Sequence, residues 1–390
     1  MSTLIRSAEA ARLLGVTPAT LYAYVSRGKI SRQTAADGRA SLFELDEIEE
    51  LAGRSRRAPL APTPTIDVQI TSHITTLSER GVRYRGRPLS DLVLEGHFES
   101  VAELIWSTNT TTDPAVANVD EVIWPEAEPG DIERCTPVAD LAGITVPQRM
   151  AAVASVLAGG HPDDDAPAAG RRLLLVTPTL LGSGRRTGPY AERVAAIWTD
   201  RPRPEVVRAI DVAMMCLADH ELATSTLAVR IAASVRTTPY GSLAAGLAVV
   251  EGALHGSAAP LAHRFIEECA IDGAATVVRR TLDGGRPIPG FGHKVYRSVD
   301  PRCELLLAAV RDIEPDGERM ALVDEVIAEV GRVLPRPPNI DVALAALTWV
   351  SGLDPDIPIF AIARIAGWSA HYAEELDERP VRFRGLARRP

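Results

Sequence analysis

Lysine is almost missing from this chain. Lys29 and Lys294 are the only two, and arginine supplies the rest of the 42 basic residues; a bias that general reads as a composition habit of the genome. Cysteine is scarce as well. Cys135, Cys216, Cys269 and Cys303 form no CxxC pair, which argues against a zinc ribbon or a disulfide framework and leaves each as a small buried hydrophobe. No apolar run reaches the length of a membrane span. The opening MSTLIRSAEAARLLG has no apolar signal core followed by a small-residue cleavage site, so a cytoplasmic protein is expected. There is no P-loop and no dinucleotide fingerprint. No metal is suggested and no bound cofactor is expected.

What is present is an ordinary globular composition. The chain has 390 residues, 46% apolar and 24% charged, enough for two or three domains with a core of good size. The net charge of −9 is unevenly spread. Residues 1–57 hold nine basic and seven acidic side chains (+2), the remainder 33 and 44 (−11). The asymmetry points to a separate N-terminal role.

The N-terminal segment is sharply punctuated. A helix is predicted over Ala8–Leu14, a turn at Gly15-Val16-Thr17, and a second helix from Thr17 as N-cap and Pro18 as first residue to about Arg27, closed by Gly28. Ile30–Phe43, with Asp37-Gly38 at its centre, reads as a hairpin. Asp46 then caps a helix over Glu47–Ala52. This order resembles the winged helix-turn-helix module of MerR-type regulators and excisionases. In such a module the second helix enters the DNA major groove; here it would offer Thr20, Tyr22, Tyr24 and Arg27, with Lys29, Arg32 and Arg39 near the phosphates. The plainer reading is a solvated helix pair used for docking or assembly, and a charge of only +2 is a thin electrostatic footprint for phosphates. Residues 54–65, RSRRAPLAPTPT, are proline-stiffened and read as a linker.

Beyond Ile66 the pattern is predominantly helical. Met320–Leu334 carries an apolar stripe at 323, 326, 327, 330, 333 and 334. Val206–Leu217 is apolar nearly all round and reads as a buried helix. Thr224–Val235 and Ser242–Leu254 are rich in small residues that allow close packing. Thr65–Ile74 and Gly81–Tyr84 are the best strand candidates.

Chemistry concentrates between Pro287 and Arg302, PIPGFGHKVYRSVDPR. Gly290 and Gly292 let the backbone approach a ligand, and His293 follows them. Asp300 and Pro301 read as N-cap and first residue of a helix, with Arg302 in its first turn. A helix N-terminus and an arginine fork both suit a carboxylate. On these residues alone, a structural histidine and a surface arginine fit as well.

GFGHKVYRSVDPR closely resembles the signature of the citrate synthase family. Other segments resemble it in the family's order: Tyr84-Arg-Gly-Arg-Pro-Leu, Phe98–Trp106, Ala218-Asp-His220 through Arg230, Leu254-His255-Gly256-Ser257-Ala258, Asn339-Ile-Asp341, Phe360 through His371 with Arg364, and Glu378-Arg379-Pro380. The resemblance covers about residues 65–388. It implies an all-α fold. A large domain (66–223 and 342–390) and a small domain (224–341) would face each other across a cleft, behind the winged module (1–57) and linker (58–65).

The resemblance also implies a reaction, the condensation of acetyl-CoA with oxaloacetate. A carboxylate with a reference pKa of ~3.9 is a weak base for a thioester methyl, so a donor must stabilise the enolate oxygen as it forms. Asp341 is then the base and His255 that donor. His293 bonds the oxaloacetate carbonyl, and His220, Arg302, Arg364 and Arg379 hold its carboxylates. Arg297 binds a CoA phosphate, and Arg379 reaches in from the other subunit, implying a homodimer. Each residue has a blander reading in isolation. Asp341 reads as an N-cap, His255 and His220 as satisfied structural histidines, Arg364 as a salt-bridge arginine and Arg297 as a surface arginine. Trp368 and His371 read as packing. Four neighbours depart from the family pattern: Ala259 and Pro260 replace an asparagine and an acid, Ala223 replaces an asparagine, and Val342 replaces an aromatic. The smaller Val342 would leave room for a longer acyl group, which keeps propionyl-CoA and 2-methylcitrate open. A further reading is a non-catalytic regulator that senses CoA or a tricarboxylate and signals through the DNA-binding module.

Overall fold

A computed structural model describes residues 4–34, 41–48, 51, 70–78, 81–107, 122–182, 185–252, 255–293, 295–315, 317–356 and 358–383. The chain forms two compact units, Met1–Ile70 and Thr71–Pro390.

In the first unit, helix α1 (Ser7–Leu14) ends on Gly15 in the left-handed region at φ 66°, and α2 (Pro18–Ser26) begins under the Thr17 hydroxyl, which accepts from Thr20 N–H. Both junctions match the sequence expectation. The hairpin strands are β2 (Gln33–Thr34) and β3 (Ser41–Glu44), paired Gln33 to Leu42; the Asp37-Gly38 turn lies outside the described residues. One strand was not foreseen. β1 (Leu4–Arg6) adds antiparallel to β3, Ile5 opposite Phe43. Its three residues are too few to show a period, and the strand exists because Ile5 completes a core with Ala10, Leu14, Leu21, Ile30, Phe43 and Ile48. The third helix is already helical at residues 45–48, and residues 49, 50 and 52 lie outside the described set.

The second unit opens with a small antiparallel sheet of β4 (Thr75–Ser78), β5 (Gly81–Tyr84) and β6 (Arg87–Pro88). The Gly81–Tyr84 strand is where the sequence put it. The strand expected over Thr65–Ile74 is not: residues 65–69 lie outside the described set, 70–74 are not strand, and pairing starts at Thr75. The register runs from Ser78 opposite Gly81 to Thr75 opposite Tyr84.

Helices follow: α3 (Leu89–Glu95), α4 (Phe98–Trp106), α5 (Pro129–Ala139), α6 (Val146–Gly160), α7 (Ala166–Leu181), α8 (Tyr190–Ala195), α9 (Pro204–Leu217), α10 (Thr224–Ser234), α11 (Pro239–Val250), α12 (Ala258–Asp272), α13 (Ala274–Asp283), α14 (Pro301–Arg311), α15 (Glu318–Val333), α16 (Ile340–Ser351) and α17 (Ile359–Leu376). The expected stripe of α15 is buried or half-buried throughout. Helix α9 is buried on all sides from Ala209 to Leu217, as its composition required. Among the described residues no helix is long and apolar enough to cross a membrane, and all four cysteines are buried and free.

Helix α17 is the central post and is almost wholly buried. It packs on α4, α7, α9, α10 and α11. Two glycines allow the approach. A Cβ on Gly246 of α11 would sit 2.8 Å from Val229 Cγ2 and 2.9 Å from the Trp368 ring, and one on Gly367 would sit 2.5 Å from Ala218 O. A second layer, α12 to α16, packs α16 against both α12 and α14. The ends of α9, α14, α16 and α17 and the loops before α10 and α12 carry the residues described next.

Candidate active site

The glycine loop is built as its sequence demands. Gly290 and Gly292 have φ of 79° and 88°, left-handed values that L side chains avoid. Gly290 also lies so close to α16 that a Cβ would come within 2.5 Å of Val342 Cγ2. The loop is laced to the segment before α16: Gly292 N–H donates to Pro337 O (2.8 Å), Asn339 N–H to Gly290 O (2.9 Å), and Asn339 Nδ2 to Gly292 O (2.9 Å). Lacing of this kind fixes His293 and Asp341 on one frame. His293 Nδ1 accepts the backbone N–H of Val295 at 3.0 Å. Burial, then Arg302, lowers its pKa. The ring is therefore neutral, with its proton on Nε2, the nitrogen left to face a ligand.

His220 sits in the turn between α9 and α10. Its ring lies 5.3 Å from that of His293, and its Nε2 shares a 3.0 Å hydrogen bond with Tyr296 Oη. Desolvation, followed by the fields of Arg302, Arg364 and His293, holds it well below the usual histidine range, so it too is neutral.

Two buried guanidinium groups flank this pair. Arg302 begins α14 as expected, under the Asp300 cap. Its Nε and Nη2 are already clasped by Asp300 (3.0 and 2.8 Å), and Asp300 also accepts Ile340 N–H at 3.1 Å, tying α14 to α16. Arg364, 1% exposed, donates through Nε to Leu217 O at 2.7 Å, while its Nη1 is buried with no hydrogen-bond partner. Burial lowers its pKa to about 10. An unpaired buried donor on a cation carries a large desolvation cost, which an anion would relieve. The salt-bridge reading of Arg364 fails here, because no carboxylate bonds it among the described residues.

The Arg364 guanidinium lies 4.5 Å from the Phe360 ring, and that ring lies 5.8 Å from His255. His255 Nε2 is 2.8 Å from Ser225 Oγ, which leaves Nδ1 free of that contact. Burial, then Arg364, lowers its pKa. Asp341 is not the cap of α16. Asn339 holds that place, its side chain accepting Asp341 N–H at 2.9 Å. The Asp341 carboxyl is instead desolvated and pushed up to about 6, with Arg302 only partly offsetting the burial.

The structure thus gathers His220, His255, His293, Arg302, Arg364 and Asp341, which lie on six different segments. Two expected residues stand apart. Arg297 is exposed on the loop after His293, and Arg379 is exposed in the turn after α17. From sequence alone Ser225, Tyr296 and Phe360 carry no role, and Asp300 only that of a cap. All four sit inside or beside the recognised motifs, so the motifs were their signal. Beside the site, a cavity of about 650 Å³ is bounded by Gly256, Ala259, Pro260, Leu344, Ile359 and Phe360, among others. No group of His, Cys, Asp and Glu able to hold a metal occurs among the described residues.

Comparison with known proteins bears on the family and the fold. The family model described as citrate synthase, C-terminal domain, matches residues 64–384, and a helix-turn-helix domain model matches residues 4–56. A 2-methylcitrate synthase of Mycobacterium tuberculosis is 30% identical over 320 residues, covering 75% of this chain and 80% of that protein. Citrate synthase 2 of Bacillus subtilis is 26% identical over 340 residues, 80% and 90% of the two chains. The crystal structure of citrate synthase from Pyrobaculum aerophilum superposes with a TM-score of 0.68 at 23% identity, covering 82% of this chain and 89% of that one. With its fold, its ordered motifs and its family match in agreement, the chain belongs to the citrate synthase family and carries a helix-turn-helix domain at its N-terminus.

Proposed function

We propose that the site condenses acetyl-CoA with oxaloacetate to citrate and CoA. The observation that carries this reading is the buried, unpartnered Arg364 Nη1 beside two neutral histidines and a carboxyl raised to about 6. A dianionic 2-oxo acid satisfies the first, and proton abstraction from a thioester uses the last.

In this reading the carboxylates of oxaloacetate are held by Arg364, by the free edge of Arg302 and by His220. His293 donates Nε2–H to the carbonyl oxygen. Asp341 takes the methyl proton of the thioester, its raised pKa making it a stronger base than a solvated carboxylate. His255 donates Nδ1–H to the enolate oxygen. That tautomer requires Nε2 to accept, so Ser225 is the donor of their hydrogen bond. The enol carbon then attacks the carbonyl held by His293, and the thioester is hydrolysed. Arg297 binds a CoA phosphate. Arg379 of the partner subunit completes the carboxylate site of a homodimer. Residues 66–223 and 342–390 act as the large domain and 224–341 as the small one, with closure excluding water from the enolate.

Release of CoA from acetyl-CoA plus oxaloacetate, followed with a thiol reagent, tests this directly. Turnover abolished by Asp341→Asn supports it, and no turnover in the parent refutes it. Propionyl-CoA is run beside acetyl-CoA, because a 2-methylcitrate synthase is among the relatives and the adjoining cavity has an apolar wall of Ala259, Pro260 and Ile359. A higher kcat/KM for propionyl-CoA would make 2-methylcitrate the product.

The N-terminal domain, in the same proposal, binds DNA in a cytoplasmic setting. Tyr22, Arg27 and Lys29 are exposed on and after α2. Full-length protein should shift its own promoter fragment at low salt, and Arg27→Glu should weaken the shift. Absence of any shift would assign the domain to docking or assembly.

A further inference from the structure

Behind His220 lies a largely buried polar chain that the reaction does not use. Asp219 is 0% exposed. Its Oδ2 accepts from the Thr75 hydroxyl at 2.5 Å and from Glu221 N–H at 3.2 Å. The second bond closes the turn that carries His220. Glu221 is held at φ 49°, a left-handed conformation that a non-glycine residue keeps only when its surroundings enforce it. The opposite oxygen, Oδ1, faces His371 Nε2 at 3.2 Å.

His371 is also 0% exposed, and its tautomer can be deduced. Its Nδ1 lies 2.8 Å from Arg230 Nη1. A guanidinium has only donors, so Nδ1 accepts and the ring proton sits on Nε2, toward Asp219. Arg230 is anchored in turn by Glu375 (2.8 Å) and Glu374 (3.0 Å). The N–H of His371 is off the line to Asp219 Oδ1, so neither atom has an aligned hydrogen bond despite the short distance. Two facing, buried polar groups 3.2 Å apart couple the turn that carries Asp219 to α17.

We propose that His371 is a positioning residue that sets the His220 ring through Asp219; the proposal rests on the reading of His220 as an oxaloacetate ligand. Simple packing would explain the burial of His371. It does not explain an imidazole whose protonated nitrogen lies 3.2 Å from the carboxylate next to His220.

The test compares full-length parent, His371→Leu, His371→Gln and Thr75→Val for KM of oxaloacetate, KM of acetyl-CoA, kcat and thermal unfolding. His371→Leu removes the Nε2 donor and should raise the oxaloacetate KM by about ten- to a hundred-fold, as expected when a binding group shifts by ~1 Å, with the acetyl-CoA KM within about two-fold. His371→Gln returns an amide N–H toward Asp219 and should recover most of the loss. Both variants surrender the Arg230 contact, so both should unfold at lower temperature. Thr75→Val loosens Asp219 from its other side and should shift the same KM even if His371→Leu does not fold. An active parent whose variants lose stability or kcat but keep the oxaloacetate KM would overturn the proposal alone. A parent that neither turns over nor binds oxaloacetate calorimetrically would overturn the reading of the site and this proposal with it.

Discussion

Asparagine at position 341 separates a catalytic base from a structural acid, because the two roles make opposite demands on stability. Burial at the start of α16 raises the Asp341 carboxyl from 3.8 to about 6. An acid whose folded pKa is raised costs stability wherever it is ionised in the folded protein. That cost is absent below the unfolded value, grows as pH rises from 3.8 to about 6, and is complete above it. Two units correspond to about 3 kcal/mol. Asp341→Asn keeps the shape and removes the charge, so it should unfold a few degrees higher than the parent at pH 7.5, with the gain shrinking as pH is lowered through 6. Activity should move the other way. Loss of a positioned base costs about 10²- to 10⁴-fold, and parent kcat should fall as pH drops through about 6. Thermal unfolding and CoA release, both measured across pH 5 to 8.5, give the two curves. A variant less stable than the parent at pH 7.5, a variant that keeps more than half the turnover, or a parent profile that breaks near 4 would each refute Asp341 as the buried base.

Other consequences are equally direct. Arg364→Gln should raise the oxaloacetate KM by about a hundred-fold, the scale of a charged hydrogen bond lost in a buried site, and leave the acetyl-CoA KM nearly unchanged; equal changes in both would place Arg364 outside the carboxylate site. Ser225→Ala should lower kcat by about ten-fold without changing the oxaloacetate KM, because the His255 tautomer is no longer enforced. Gly246→Ala forces a methyl against Val229 and Trp368 and should cost about 1–3 kcal/mol, read from denaturant midpoints. Arg379→Ala and Asp341→Asn homodimers should each be inactive, while a mixture refolded together should recover activity in heterodimers that hold one intact site; failure to recover would place Arg379 in its own subunit's site or outside any.

Local sequence signals carried much of this molecule. Thr17-Pro18, Asp300-Pro301 and Gly15 act at a range of one to four residues, so capping and φ preferences fixed those helix ends without reference to the rest of the chain. Apolar periodicity placed α9 and α15 for the same reason. The motif order pointed to the residues of the site, because short segments can be recognised apart from their neighbours. Packing decided what those segments do together. The β1–β3 pairing joins residues about forty apart, and β4 begins only at Thr75, where it finds its partner in β5. Asn339 rather than Asp341 caps α16, which frees the carboxyl that burial then raises. Asp300 proved to be both cap and clasp for Arg302. The proton position on His371 follows from an arginine 141 residues away that only the fold brings near, whereas that on His293 follows from a backbone N–H two residues on. The sequence by itself determined which groups are available and where the helices begin; the tertiary structure alone decided which groups are dry, which are paired and which way each histidine points. Desolvation and hydrogen-bond geometry depend on neighbours remote along the chain.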